Sequence, residues 1–424
     1  MDENKSNEVA MGRSYKQLRS SMAVKAYQKE WFNNIKEKAK QGIPVGICNA
    51  DECEEIFTAF GMSVVVVQWW VGIIAAKRMS LHYSNILAQR DWDMNHYGGA
   101  LGLAVALEDN PDNAPWGGLP KSAVIIGATN SDDNLVLKEI WAREIGCPCF
   151  PIEGSSLSKP LPAGWWDRIA DHWDELIDSR SLDFRVEQYK ELIRFIENTY
   201  GLRFSLERLN EVNSLINEQE GYFKKARNLI AETVPCPVTL ADQLSAYTPI
   251  QWQRGTREGV NFAKMFYEEV KERVDNDVAA YPSEKIRLMW IGVGLWANTA
   301  FYQYFEETYN ATFVASMYLS LAADSYIRTV LNNDPLRAIA GRNLVLGIGN
   351  IDHMIKEAKL HKCNGAVTFK SKSGIPSPMT LAFEKAGIPV CEIPGDNVDL
   401  RIWDDKQTRS IVSDFFEKRI LVNK

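Results

Sequence analysis

Pro44-Val-Gly-Ile-Cys-Asn-Ala-Asp-Glu-Cys-Glu-Glu-Ile56 is the stretch on which the fold turns. Val45–Cys48 is a short apolar run that reads as a strand buried on both faces. A polar, turn-rich loop follows, and Glu52–Phe60 carries a helical pattern. Ser63–Val67 then returns as a run of mostly β-branched residues, so the unit is strand, loop, helix, strand. The same rhythm recurs downstream with a strand at Ala123–Gly127, a helix from about Asp133 to Ile145 and a strand at Cys149–Glu153. Such alternation predicts a parallel sheet covered by helices on both faces.

The rhythm stops at about residue 161 and resumes at about Ile286. Between them, long charged amphipathic segments run from Gly164 to Thr199, Ser205 to Thr233 and Thr256 to Val274, with few β-branched runs. Ser205-Leu-Glu-Arg-Leu reads as an N-cap opening a helix. After Ile286, strands are predicted at Arg287–Val293, Ala311–Ala315, Gly365–Lys370 and Pro389–Ile393, with helices at Thr299–Glu307, Pro378–Ala386 and Thr408–Arg419. The predicted fold class is therefore α/β: two doubly wound parallel-sheet lobes joined by a helical middle section. The expected boundaries are 1–41 for an N-terminal helical segment, 42–160 for lobe 1, 161–285 for the helical domain and 286–424 for lobe 2.

A chain of 424 residues is too long for one core, which agrees with that division. The net charge of −7 gives no electrostatic footprint for nucleic acid or an anionic membrane. No secretory leader or membrane-length apolar run is evident, so a cytoplasmic location and reduced thiols are expected. Thirteen Trp and 11% aromatic residues fit large interfaces, a pocket for a flat apolar group, or simply a tryptophan-rich core. Trp69-Trp70, Trp165-Trp166 and Trp296 are the apolar residues expected to be exposed for a partner.

Ligands of open parallel sheets sit beyond the carboxyl ends of the strands. That rule selects the loops at Cys48–Cys53, Ala128–Asp133, Gly292–Asn298, Lys370–Gly374 and Gly395–Asn397. The candidate binding residues on them are Cys48, Asn49, Asn130, Ser131, Gly292, Gly294, Trp296, Lys370, Ser371, Lys372 and Ser373. The same geometry puts Cys147, Cys149 and Cys363 at the opposite edges of the sheets and Cys391 inside a strand. Cys48 and Cys53 alone face the site, and two thiols do not complete a four-sulfur site. The histidines show no zinc spacing, and there is no P-loop, complete GxGxxG or nucleophile elbow.

Read together, these loops carry a family likeness. Pro44–Ile56 followed by Phe60-Gly61, Arg254-Gly255-Thr256, the strand and turn Arg287–Asn298, Asn364-Gly-Ala-Val, Ala386-Gly-Ile-Pro-Val, Gly395-Asp396 and Arg409 occur in order over about residues 40–420. The chain resembles the 2-hydroxyacyl-CoA dehydratase and benzoyl-CoA reductase subunits, of the larger, substrate-binding type. The resemblance implies a pair of related subunits, three cysteines in each holding a [4Fe-4S] cluster, and an ATP-dependent activator that injects one electron.

The cysteines it implies are absent here. The first position falls at Met94-Asn-His96-Tyr, with His96 or Asn95 in place; the second falls at Ser131 and the third at Gly374. Hydroxyl and glycine do not replace thiolate. Ala50 stands where the loop serine is expected, whereas Glu55 matches the glutamate at the helix start. The resemblance thus implies no cofactor bound by this chain, a CoA thioester as substrate and a [4Fe-4S] cluster only in a partner. Arg254, Lys370 and Lys372 become candidates for the CoA phosphates.

Three readings follow. In the first, the chain is half of a heterodimer with a cysteine-bearing sister subunit, acting on an aromatic or branched acyl-CoA. The second is a noncatalytic scaffold or regulatory subunit. In the third, a non-redox acyl-CoA lyase or hydratase uses Glu55, His96 and Asp132 as acid and base. In that case Asp132 and Asp133 would tune one another if buried together, against the plainer reading as solvated carboxylates at a helix N-terminus.

Overall fold

The computed structural model describes residues 18–50, 52–92, 100–129, 132–153, 157–325, 327–346, 351–371 and 373–422. The first lobe is entered through α1 (Arg19–Lys40), and β1 (Val45–Cys48) then opens its sheet. Next come α2 (Glu54–Ala59), β2 (Ser63–Val66), α3 (Val67–Ala76), α4 (Ser80–Ala88), α5 (Ala100–Ala106), β3 (Val124–Ala128), α6 (Asp132–Ile145) and β4 (Cys149–Ile152). All pairings are parallel and the order is β2-β1-β3-β4. The central strands β1 and β3 are buried at every position, the reason they read as unbroken apolar runs.

The middle section holds α7 (Ile169–Leu176), α8 (Ser179–Tyr200), α9 (Leu206–Glu232), α10 (Leu240–Tyr247), α11 (Pro249–Trp252) and α12 (Arg257–Asp275). The N-cap expected at Ser205 is present, and two further helices start in the same way. Asp178, Ser205 and Thr256 each accept a hydrogen bond from the backbone N–H three residues on, and Gly201 closes α8 in the left-handed region at φ 67°.

The second lobe contains β5 (Ile286–Ile291), α13 (Phe301–Tyr309), β6 (Ala311–Ser316), α14 (Met317–Ser325), α15 (Pro335–Leu346), α16 (Ile351–Leu360), β7 (Gly365–Phe369), α17 (Pro378–Lys385), β8 (Val390–Ile393) and α18 (Asp405–Phe415). Its sheet is also wholly parallel, in the order β6-β5-β7-β8. Counting strands within each lobe, both sheets run 2-1-3-4. The two lobes therefore share one topology, and each reverses its winding beside its first strand, where open sheets form a crevice for ligands.

Two apolar cores underlie the lobes. One gathers Val45, Ile47, Ile125 and Trp141 with Leu182 and Ile193 of α8. The other gathers Leu288, Trp290, Val314 and Val367 with Phe223 of α9 and Phe266 of α12. α15 lies late in the sequence yet packs Ala338, Ile339 and Leu344 into the first core, so the lobes are sewn together by an exchanged helix.

The tandem tryptophans expected at the surface are instead buried. Trp69 is 2% exposed, Trp70 0%, Trp165 8% and Trp166 7%; Trp296 is partly buried. The first pair closes a seam with α1 and α11. Phe32 stacks on Trp70 at 5.0 Å, and Trp31 meets Trp252 at 4.8 Å. The aromatic excess thus serves internal packing between α1, α3 and α11.

One buried histidine gives this fold an acid-sensitive joint. His361, just past α16, is 1% exposed, and burial first, then Arg227 and Arg287, push its imidazole down to about 3. The unfolded chain takes up a proton near pH 6.5 that the folded chain refuses, so stability falls as pH drops below about 7, by about 1.4 kcal/mol per unit for this group. The urea midpoint, followed by tryptophan fluorescence, should be lower at pH 5 than at pH 7. His361→Gln should narrow that gap, and an unchanged gap would show that His361 is not responsible.

Candidate functional site

At the C-terminal edge of sheet 1, Asn49, Ala50 and Glu52 of the loop after β1 are hydrogen-bonded to the surrounding helices. Asn49 donates its backbone N–H to Glu52 Oε2 (2.6 Å), and its amide donates to Glu52 Oε1 (2.8 Å) and Asn134 Oδ1 (3.0 Å). Asn49 Oδ1 accepts from Lys138 Nζ at 3.0 Å, and Asn134 Nδ2 donates to the Ala128 backbone carbonyl at 3.0 Å. Asn134 and Lys138 lie one turn apart on α6, so the helix after β3 clamps the loop after β1 across the switch point.

Burial raises the Glu52 carboxyl, opposed by Lys138 and the Asn49 bonds; burial lowers the Lys138 ammonium, opposed by Glu52. Each charge is thus tolerated inside because of the other. The Glu52 carbonyl is held by Asn343 Nδ2 (2.8 Å) from α15 and by the Tyr189 hydroxyl (3.3 Å) from α8. The thiols of Cys48 and Cys53 are fully buried and hydrogen-bonded to each other, and burial raises both.

A second buried network begins at the start of α2. Glu55, whose side chain is 0% exposed, is in direct contact with Arg342 Nη1 of α15. Arg254 Nη1 lies 3.8 Å from Glu54 Oε1 and 3.8 Å from Glu55 Oε1, and its Nε donates to the Ile250 carbonyl at 3.2 Å. Arg254 is 5% exposed, so its charge meets carboxylates of the protein rather than solvent. Two arginines and two glutamates from lobe 1, the middle section and α15 thus form a balanced cluster.

The edge of sheet 2 is more open. Gly292 takes φ 136°, and a Cβ there would lie 3.2 Å from Trp290 Nε1. The Leu295 N–H donates to the Tyr302 hydroxyl at 3.0 Å. Gly294 is buried, and Trp296 packs edge-on against Tyr318 at 6.1 Å. Ala297 belongs to the first lobe's core, so the loop after β5 crosses to the facing lobe. After β7, Lys370 is exposed, and the hydroxyls of Ser371 and Ser373 share a 2.9 Å hydrogen bond. Past β8, Asp396 Oδ1 accepts from the N–H groups of Val398 (3.0 Å) and Asp399 (3.2 Å).

The structure brings Cys48, Asn49, Glu55 and Arg254 into one buried region and sets Gly292, Gly294, Trp296, Lys370, Ser371 and Ser373 along the opposite lobe's edge. Asn95, His96, Asn130, Ser131 and Lys372 lie outside the described residues; Asp132 opens α6, with its side chain also outside them. Sequence reasoning missed Glu52, Asn134, Lys138, Arg342 and Asn343. A signal existed in Arg342-Asn343, two polar residues interrupting the apolar run of α15.

Comparison with known proteins gives this chain its class. The family of the 2-hydroxyglutaryl-CoA dehydratase D-component matches residues 50–418. The chain belongs to this family, that of the 2-hydroxyacyl-CoA dehydratases and benzoyl-CoA reductases. It is similar to the (R)-2-hydroxyisocaproyl-CoA dehydratase alpha subunit of Clostridioides difficile, 23% identical over 401 residues, covering 92% of this chain and 93% of that one.

The donor set does not fit the family's iron–sulfur cluster. Among the described residues no three His, Cys, Asp or Glu side chains are grouped to hold a metal ion. Gly374, at the third expected ligand position, takes φ 73° in open space. No helix among the described residues is long and apolar enough to cross a membrane.

Proposed function

We propose that this chain is the cluster-free subunit of a 2-hydroxyacyl-CoA dehydratase or benzoyl-CoA reductase-type complex acting on an aromatic or branched acyl-CoA thioester. The observation that carries the reading is family membership along nearly the whole chain, combined with the lack, among the described residues, of any group of His, Cys, Asp or Glu side chains that could hold a metal ion. A subunit that stores no electron requires one that does, so the partner is a cysteine-bearing sister subunit holding the [4Fe-4S] cluster, served by an ATP-dependent activator. The similar protein is an alpha subunit whose named acyl group is branched, which supports the same substrate class here.

Glu55 bears on the competing lyase reading. A general acid or base must exchange protons with substrate. A carboxylate with no exposed side-chain surface, held against Arg342 and beside Arg254, serves better as framework. Lys370, exposed on the loop after β7, is the described cation best placed to meet CoA phosphates at that edge.

Co-expression with a cysteine-complete sister subunit tests the proposal. An equimolar complex is expected, with about four irons per heterodimer, all retained when the cysteines of this chain are replaced by serine. A stable monomer that recovers no partner would overturn it. So would iron bound by this chain alone and lost on Cys48→Ser.

A further inference from the structure

Where the lobes meet, a cavity of about 180 Å³ is lined by Ala75, Arg78 and Leu81 from the first lobe and by Ala297, Leu400 and Arg401 from the second. We propose that this cavity receives the distal end of the acyl group and sets the chain-length preference for a branched or cyclic chain of five to six carbons. The inference rests on the acyl-CoA reading above and names the part of the substrate that this cavity selects.

Size is the first argument. An apolar cavity of roughly 150 Å³ is enough to take up a benzene molecule. A volume of 180 Å³ therefore suits one six-membered ring or a branched chain of similar bulk, and is too small for a long fatty chain. Lining chemistry is the second. Ala75, Ala297, Leu81 and Leu400 carry no polar side-chain atoms, and the small side chains of Ala75 and Ala297 leave the space open. Leu81 is 56% exposed, so an apolar chain resting on it would remove wetted hydrocarbon from water.

Rigidity is the third argument. The Ser80 hydroxyl donates to the Val398 carbonyl at 2.6 Å, buried, which fixes one lobe against the other beside the cavity. Arg401 donates through Nε to both oxygens of Asp399, at 3.0 and 2.8 Å, and its backbone N–H donates to Oδ1 at 2.9 Å. The wall is thus pre-formed, so binding need not pay to order it. Charge is the last. Asp399 neutralises Arg401, leaving exposed Arg78 as the net cation at the rim, complementary to an anionic ligand such as a CoA ester.

The test is calorimetry on the full chain, alone and in any complex it forms, with free CoA, acetyl-CoA, 4-methylpentanoyl-CoA, benzoyl-CoA, dodecanoyl-CoA and the free 4-methylpentanoate. Burying the added carbons predicts that 4-methylpentanoyl-CoA and benzoyl-CoA bind about tenfold or more tighter than acetyl-CoA. The free acid and dodecanoyl-CoA should both bind more weakly than these two. Ala297→Leu, which fills the cavity, should abolish the preference. Leu81→Asp, at an exposed position that does not threaten folding, should also abolish the preference. Equal affinity for acetyl and branched thioesters, or an unchanged preference in Leu81→Asp, overturns the cavity assignment while the acyl-CoA reading stands. No binding of any CoA species overturns that reading, and this inference with it.

Discussion

Arg342→Met should be among the most destabilising single substitutions in the protein, lowering stability by about 3–5 kcal/mol, the range for removing one member of a buried ion pair. The loss comes less from the attraction forfeited than from the carboxylate stranded. Glu55 has no exposed side-chain surface, and Arg254, at 3.8 Å and shared with Glu54, is the remaining described cation near it. A buried carboxylate that has lost its contacting cation must either remain charged at greater cost or take up a proton. The double variant Arg342→Met with Glu55→Leu should therefore recover much of the stability, because hydrophobic replacement of a whole buried pair is often neutral. Urea titration followed by tryptophan fluorescence reads both. A single variant within 1 kcal/mol of the parent, or a double variant worse than the single, would sink the account.

That cluster also marks how far the sequence could be read. The strands were legible because a buried parallel strand is a short β-branched or apolar run, and Val45–Cys48, Ala311–Ser316 and Gly365–Phe369 are just that. The cap at Ser205 was legible because capping is a local hydrogen bond. The placing of Cys147, Cys149 and Cys363 at the far edges also follows from strand direction, since Cys149 opens β4 and Cys363 precedes β7.

Pairings across hundreds of residues were not legible. Asn343 reaches the Glu52 carbonyl from 291 positions away, and nothing local in either segment announces the other. The tryptophans misled for a related reason. Composition counts aromatic rings but does not say whether a seam such as that between α1, α3 and α11 exists to absorb them. The shared 2-1-3-4 strand order was likewise hidden, because order within a sheet is a tertiary fact.

Two glycines on long helices should respond to alanine with opposite signs. Exchanging glycine for alanine within a helix ordinarily stabilises by about 0.5–1 kcal/mol, since glycine surrenders more backbone entropy on folding. Gly221 lies within α9, and a Cβ there would meet nothing within 4 Å, so Gly221→Ala should raise stability by about that amount. Gly259 lies in the first turn of α12, where its N–H donates to the Thr256 cap at 3.0 Å. A Cβ there would stand 2.1 Å from the Gln253 carbonyl oxygen and 2.9 Å from Gln219 Nε2. The first neighbour is backbone and cannot swing aside, so the helix must move away from the turn that carries Arg254. Overpacking of this kind costs about 1–3 kcal/mol, which outweighs the entropy gain and reverses the sign. The displacement should also loosen Arg254 from Glu54 and Glu55. Thermal and urea midpoints of the two variants decide the matter. If both move upward, the turn at Arg254-Gly255-Thr256 has slack, and its close packing does not fix the arginine.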